Sequence, residues 1–464
     1  MSIKAAVDFI LGLGPSVMLP IIMTVFGLIL GQGFKKSFRA GLTIGIGFVG
    51  IGLVIGLFFS ALGPAAKALV ESMGIKLDVL DVGWPIGAAI SFGTPVAPLL
   101  IPIVLVLNVI LIAINFTKTM DVDIWNYWHF IFAGSVAYYA TNNMLLALFT
   151  GCVVAVIIFK LADWTAPVVE HHFGLPGISL PHTETVNFAP LMYALNRIED
   201  NIPGFNKLNA DPETLRKRFG IFGEPLIMGL VMGLLIAILG RSDFKGTLTL
   251  GVQMAAVMTL LPRMVALLME GLIPISEGAR DFISKRFPGK DVYIGLDAAI
   301  VIGHPANMAV ALLMVPITIF LAILLPYNRM LPLADLPVLP FTIIWAVAVS
   351  RGNIVRGVIN GIVTMGMVFF LATNLAELAS TMGKAVGFQF PAGANLISGI
   401  DLGSHVVPWI VLRLLQPDNP MFMAAIVVGV LYALIWWWVR NDIKKQYAKE
   451  LGLPEAGSPS VSGD

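Results

Sequence analysis

Uncharged apolar runs of membrane length recur along the chain, and they decide the fold class. Residues 83 to 116 contain no Asp, Glu, Lys, Arg or His. A helix in lipid satisfies its own backbone hydrogen bonds. A spanning β-barrel would instead need alternating strands of about ten residues, a pattern these runs lack. Composition agrees, since 57% of the 464 residues are hydrophobic and 12% are charged, against about 25% charged in an ordinary soluble domain. A soluble enzyme is excluded. So is a nucleic-acid binder, because 29 Lys+Arg balance 28 Asp+Glu and leave no basic field. One cysteine excludes a disulfide scaffold and a CxxC metal site. The chain reads as an all-α polytopic membrane protein. No cleavable signal peptide is expected, since Met1 to Phe9 is short and mixed and the first apolar run is already of membrane length.

Sliding the chain by 210 residues lays residues 15–181 over 225–391 without a gap, with 26 identities in 167 positions. The weight lies in Gly and Pro pairs, which fix backbone geometry. Pro15 meets Pro225, Gly41 meets Gly251, Pro64 meets Pro274, and Gly93 and Pro95 meet Gly303 and Pro305. Asn143 meets Asn353, Gly151 meets Gly361 and Pro181 meets Pro391. Internal duplication of this kind marks transporters. Each half reads as five spans, about 10–32, 41–62, 97–117, 127–141 and 144–163, then 221–240, 251–272, 307–326, 337–350 and 354–373. A final span near 420–439 has no partner. Five is odd, so the second half is expected to be inverted. Positive charge agrees with this: an outside N-terminus and inside C-terminus put nineteen Lys and Arg on the cytoplasmic side against eight outside.

The expected architecture is therefore about eleven transmembrane helices in two inverted five-helix repeats plus a final helix. Four further stretches do not suit spans. The run 83–116 would make a single helix of roughly 50 Å, and Gly93-Thr94-Pro95 breaks it; Gly303-His304-Pro305 breaks its partner. Stretches 174–196 and 386–413 are too broken for spans and too apolar for loops. All four read as re-entrant segments, since broken backbone at membrane depth belongs against a cavity or inside protein. The boundaries expected are 1–196 for the first membrane repeat, 197–219 for a cytoplasmic linker and 220–415 for the second repeat. Residues 416–440 form the final helix and 441–464 a cytoplasmic tail.

Polar residues at membrane depth are costly and mark function by default. His182 and Glu184 lie in the most polar re-entrant patch and together suit a polyhydroxy ligand. Asp297 and His304, two helical turns apart, and Asp401 and His405, at i and i+4, extend that set from the second half. Asn307 and Asn395 complete it. His129 follows Trp125 and Trp128 and fits either an interfacial belt or the site. Inverted repeats bring matching breaks together, so Pro181 and Pro391 should flank one chamber. Other residues read as structural. His171-His172 looks like a solvated pair, Asn143 and Asn353 like helix caps, and Arg351 and Arg356 like topological anchors. Cys152 looks like packing in an apolar helix, away from the electropositive setting a reactive thiolate needs. There is no Walker loop, no ladder of arginines and no nucleophile–base spacing, so no catalytic residue, cofactor or metal is expected.

Several runs resemble one family. They are Asp81-Val82-Gly83-Trp84-Pro85, Val122-Asp123-Ile124-Trp125-Asn126 with Trp128-His129, Pro181-His182, Phe222-Gly223-Glu224-Pro225, Ile294-Gly295-Leu296-Asp297, Gly303-His304 and Arg351-Gly352-Asn353. Across residues 5 to 440 they are similar to the galactitol-type enzyme IIC of the bacterial phosphotransferase system, related to the ascorbate-type enzyme IIC. The resemblance implies an inner-membrane homodimer moving a core domain against a dimerisation domain, as an elevator. It implies import of a sugar alcohol or related sugar, coupled to phosphorylation by separate enzyme IIB and enzyme IIA proteins. The residues alone leave two rivals open, an ion-coupled secondary transporter using Asp297 or Asp401, and a membrane-embedded enzyme without transport.

Overall fold

In a computed structural model the protein is described over residues 15–72, 78–123, 126–205, 210, 225–286, 292–332, 334–388, 390 and 396–450. Helices α1 (Pro15–Ile29) and α2 (Phe34–Ser72) lead into strand β1 (Val79–Asp81), helices α3 (Trp84–Phe92) and α4 (Ala97–Ala113), and strand β2 (Thr119–Asp121). Helices α5 (Tyr127–Thr141) and α6 (Met144–Phe173), strand β3 (Ile178–Ser179), and helices α7 (Thr183–Val186) and α8 (Ala189–Asp200) follow. The order then recurs, with α9 (Pro225–Leu239), α10 (Phe244–Arg286), β4 (Tyr293–Gly295), a 3₁₀ turn at Ala298–Ile300, α11 (Pro305–Leu324) and β5 (Met330–Leu331). After a 3₁₀ turn at Leu336–Val338 come α12 (Leu339–Thr342), α13 (Ile344–Ala348), α14 (Ile354–Ala385), β6 (Leu396–Ser398), α15 (Ile400–Gly403), α16 (Val406–Leu414) and α17 (Phe422–Glu450).

Among the described residues four helical stretches are long and apolar enough to cross a membrane: α6, α11, α14 and Phe422–Ile443 of α17. A fifth candidate is the bent pair Ile86–Phe92 and Ala97–Ala113, which turns through 89°. The bend falls at the Gly93-Thr94-Pro95 break. Pro95 lacks an N–H, and the Thr94 hydroxyl donates to Ser91 O at 2.8 Å and lies 2.7 Å from Ser135 Oγ, so hydroxyls serve polar groups that the interrupted ladder leaves. The partner stretch likewise breaks into the turn at 298–300 and then α11, which starts at Pro305. Residues 127–141 are one helix as expected. Residues 337–350 instead divide into a turn and two short helices, since Pro337 and Pro340 each remove a backbone donor.

The six short strands have no clear signal in the sequence, being too short to show alternation. They form two parallel sheets with orders β5-β1-β6 and β2-β4-β3. Val79 of β1 pairs with Met330 and Leu396, and Ile294 of β4 pairs with Met120 and Ile178. Each sheet thus takes its centre strand from one half of the chain and both edges from the other, so neither sheet can form from one half alone. Just before β1, Arg329 pairs with Asp78 and holds that carboxyl below its ordinary range.

Helices α1, α2, α9 and α10 pack against one another. Their backbones come close: a Cβ on Gly41 would lie 2.5 Å from Pro20 O, and one on Gly233 would lie 2.6 Å from Leu250 O. Asn143 and Asn353, 210 residues apart, cap α6 and α14. The Asn143 Oδ1 accepts the N–H groups of Leu145 and Leu146, and the Asn353 Oδ1 accepts that of Arg356. Arg356 is buried and paired, with Nη1 on Asn196 and Asp200 and Nη2 on Phe205 O.

Candidate functional site

Two acidic frames stand at the ends of the two sheets. At the end of β1, Asp81 accepts the N–H of Gly83 on Oδ1 at 3.0 Å and that of Asp335 on Oδ2 at 2.7 Å. Asp335 in turn accepts the N–H of Trp84 at 2.8 Å and that of Asp401 at 3.1 Å. One carboxylate therefore ties the start of α3 to the start of α15. Gly399 is required beside it, because a Cβ there would lie 2.7 Å from Asp335 Oδ2. Beyond β4, Asp297 accepts the Ala299 N–H at 2.7 Å and starts the turn at 298–300, while its own N–H donates to Asp123 Oδ2 at 3.3 Å. Asn108 fixes β2 by donating to Thr119 O and accepting from Asp121 N.

Between the frames lies a cluster of imidazoles and carboxyls. His129, from α5, places Nε2 2.8 Å from Asp401 Oδ1. The same oxygen is 3.3 Å from His405 Nε2, and His405 Nε2 is 3.0 Å from Glu184 Oε2. Thr342 donates its hydroxyl to Glu184 Oε1. His182 Nε2 stands 3.5 Å from Asp297 Oδ2. The His129 ring centroid is 4.9 Å from that of His182 and 5.1 Å from that of His405. None of these six side chains exceeds 8% exposure. Yet the Nδ1 atoms of His129, His182 and His405 have no hydrogen-bond partner among the described residues. Each such buried atom costs about 1–3 kcal/mol, so the cluster favours a ligand that supplies partners.

The structure thus joins His129, His182 and Glu184, from the first half of the chain, to Asp297, Asp401 and His405 from the second. The His129 ring is buried against Asp401 rather than exposed as a belt residue would be. His304 stands elsewhere, its ring 4.5 Å from His172 and 5.7 Å from Phe173. His172 accordingly departs from the solvated reading, being half-buried on His304. Asn307 donates to Ile302 O at 3.0 Å and Pro340 O at 2.8 Å, and so holds the segment before Thr342 from behind. Asn395 and Pro391 lie outside the described residues. The sequence reading did not select Asp335 or Thr342. Asp81 and Asp123 lay in the quoted motifs, but nothing in their spacing marked them as backbone acceptors.

Donor atoms of His129, Asp401 and His405 lie within 4.8 Å of one another, close enough to hold a metal ion. A ligating histidine normally donates its other N–H to an acceptor that orients the ring. The Nδ1 atoms here have none, so a hydroxyl-bearing ligand suits the arrangement better than a cation does.

Residues 9–393 match the family model described as the sugar-specific permease component of the phosphotransferase (PTS) system. The chain is 38% identical over 443 residues to the PTS system galactitol-specific EIIC component of Escherichia coli (strain K12), covering 94% of this chain and 97% of that relative. The protein so named in Escherichia coli O157:H7 gives the same figures. A candidate permease IIC component of strain K12 is 39% identical over 438 residues, which is 94% of this chain and all of the relative.

Proposed function

The chain belongs to the galactitol-type sugar permeases of the phosphotransferase system, and from that premise we propose that it imports a galactitol-like polyol bound at the buried histidine–carboxylate cluster. As an enzyme IIC it is the membrane permease subunit, and separate enzyme IIB and enzyme IIA proteins carry out the phosphorylation. Its setting is the bacterial inner membrane. The observation that carries the substrate reading is the joining of His129, His182, Glu184, Asp297, Asp401 and His405 in one buried cluster with imidazole nitrogens unspent. His304 and Asn307 belong to the second rank, as supports of the surrounding segments, and Asn395 is kept as a proposed substrate-binding residue from the sequence alone.

Elevator motion is the transport mode we favour. No side chain of the cluster comes from α1, α2, α9 or α10, which pack on one another. Those four helices would form the fixed body and the sheet-bearing elements the moving one. They also leave apolar side chains such as Leu53, Val252 and Phe244 exposed, as a homodimer face would. The exchange of centre and edge strands between the sheets is what two related repeats would give; their inverted arrangement with the boundaries given above, eleven spans, an outer N-terminus and a cytoplasmic C-terminus are proposed from the repeat and the distribution of Lys and Arg.

Membrane vesicles test the function. Galactitol uptake should require phosphoenolpyruvate and the partner proteins, and should deliver phosphorylated polyol. Uptake on an ion gradient alone would refute the proposal. Cys152→Ser should keep at least about half of wild-type activity: the thiol sits in a packed helix, and substitutions that avoid a core cavity cost little.

Topology has a separate check in a Cys152→Ser background. A cysteine at position 36, 285 or 445 should be protected from an impermeant thiol reagent in intact cells. One at 76 or 245 should be labelled. Labelling of positions 245 and 285 from the same side would remove the inverted arrangement.

A further inference from the structure

We infer that Asn187 is a positioning residue for the site: it sets the backbone of Glu184, from the first half of the chain, against that of His405, from the second, and the final helix α17 holds it there through Tyr432. This rests on the polyol-permease reading above and adds a residue to it. Glu184 and His405 meet through their side chains, with Oε2 3.0 Å from Nε2. Neither is well held by its own element. Glu184 lies in α7, a single turn of four residues, and so short a helix does not persist by itself. His405 stands at the start of α16 and makes no side-chain cap. The first N–H of that helix, on Val406, therefore needs a partner from outside the helix.

Asn187 serves both ends with one amide. Its Oδ1 accepts the Val406 N–H at 2.7 Å, as an N-cap side chain would, from 219 residues away. Its Nδ2 donates to Thr183 O at 2.5 Å and to Glu184 O at 3.2 Å, and so closes the turn of α7. These partners leave the amide one orientation, because an N–H requires the oxygen and two carbonyls require the amide nitrogen. The main-chain oxygen of Asn187 accepts the Tyr432 hydroxyl at 2.8 Å. Tyr432 belongs to α17, which lies beyond the 210-residue repeat. Through that hydroxyl the unpaired last helix backs the joint between the two halves.

A ligand contact and a brace differ in what they leave unpaired. The Nδ1 atoms of His129, His182 and His405 have no partner among the described residues. The Asn187 side chain is buried with both its oxygen and its nitrogen engaged. Asn187 therefore acts on a polyol only through the residues it places. The joint has little slack, since a hydrogen bond weakens beyond about 3.2 Å. A misplacement of about 1 Å in a site can cost about a hundredfold. Releasing Val406 lets His405 shift away from Glu184, so losing Asn187 removes what the pairing of those two side chains contributes.

Calorimetry of galactitol binding to the purified full chain tests this in a double-mutant cycle. Asn187→Ala and Glu184→Gln should each weaken binding about tenfold. Independent losses multiply to about a hundredfold, whereas residues acting through one another give less, so the double variant should bind only about tenfold to twentyfold more weakly than the wild type. A hundredfold loss in the double variant, or Asn187→Ala binding within about twofold of the wild type, overturns the inference and leaves the permease reading standing. Where Asn187→Ala does not fold, Tyr432→Phe takes its place, since it removes one hydroxyl and keeps the ring. It should cost about threefold alone and nothing beside Glu184→Gln; the same loss in both backgrounds overturns the inference. Hydrogen exchange at the Val406 amide needs no ligand, and it should quicken at least about tenfold in Asn187→Ala. Unchanged exchange overturns the brace whether or not a polyol binds. Quickened exchange in a protein that binds neither galactitol nor any of a panel of pentitols, hexitols and aldoses supports the brace and refutes the polyol reading.

Discussion

Asp401→Ala should lower phosphorylation-coupled uptake by about tenfold to a hundredfold. One oxygen of Asp401 serves the Nε2 atoms of both His129 and His405. Its removal orphans the buried N–H of His129 at about 1–3 kcal/mol and takes a carboxylate from beside His405, which keeps Glu184 at 3.0 Å; every 1.4 kcal/mol is about a factor of ten in affinity. It also frees the His129 ring to rotate, so the geometry of the cluster is lost with the charge. Asp401→Asn is the companion variant. It keeps the shape but can present an amide N–H where an imidazole N–H already points, so activity should fall by about tenfold or more while the protein remains folded. Uptake and thermal melting are measured together on both. Near-normal uptake by Asp401→Ala would remove the cluster from the transport site, and a folded, fully active Asp401→Asn would do the same.

The apolar runs and the Gly and Pro pairs made the helical membrane class and the breaks near residues 93 and 303 legible, because those features act locally on the backbone. His182, Glu184, Asp401 and His405 were legible for a related reason: a polar residue in an apolar re-entrant stretch has few structural uses. His129 was ambiguous because Trp128 beside it fits a belt as well as a core. His304 and His172 were harder. Their partnership joins the end of α6 to the start of α11, and no periodicity within either segment records a contact between them. The two sheets were invisible for the same reason. Strands of two or three residues carry no alternation, and each pairs with the opposite half of the chain. Asp335 was missed because its role is to receive backbone N–H groups, and any loop aspartate looks alike until the donors are in place.

That role makes Asp335 the second strong test, on folding instead of ligand binding. Both of its oxygens accept buried N–H groups, from Trp84 and from Asp401, and its own N–H reaches Asp81. Asp335→Ala leaves two of those donors unpaired, at about 2–6 kcal/mol in total, a large part of a typical stability of about 5–15 kcal/mol. The purified variant should melt well below the wild type and express poorly. Asp335→Asn keeps one amide oxygen as an acceptor and should fall between the two. Glu184→Gln is the contrast. Its partners are side chains, Thr342 and His405, so it should melt close to the wild type while binding galactitol about tenfold or more weakly. The pair separates a residue that positions the frame from one that meets the ligand. Wild-type melting of Asp335→Ala would mean that the join between α3 and α15 is not carried by this carboxylate. Asp401 would then depend for its place on the packing of its neighbours alone.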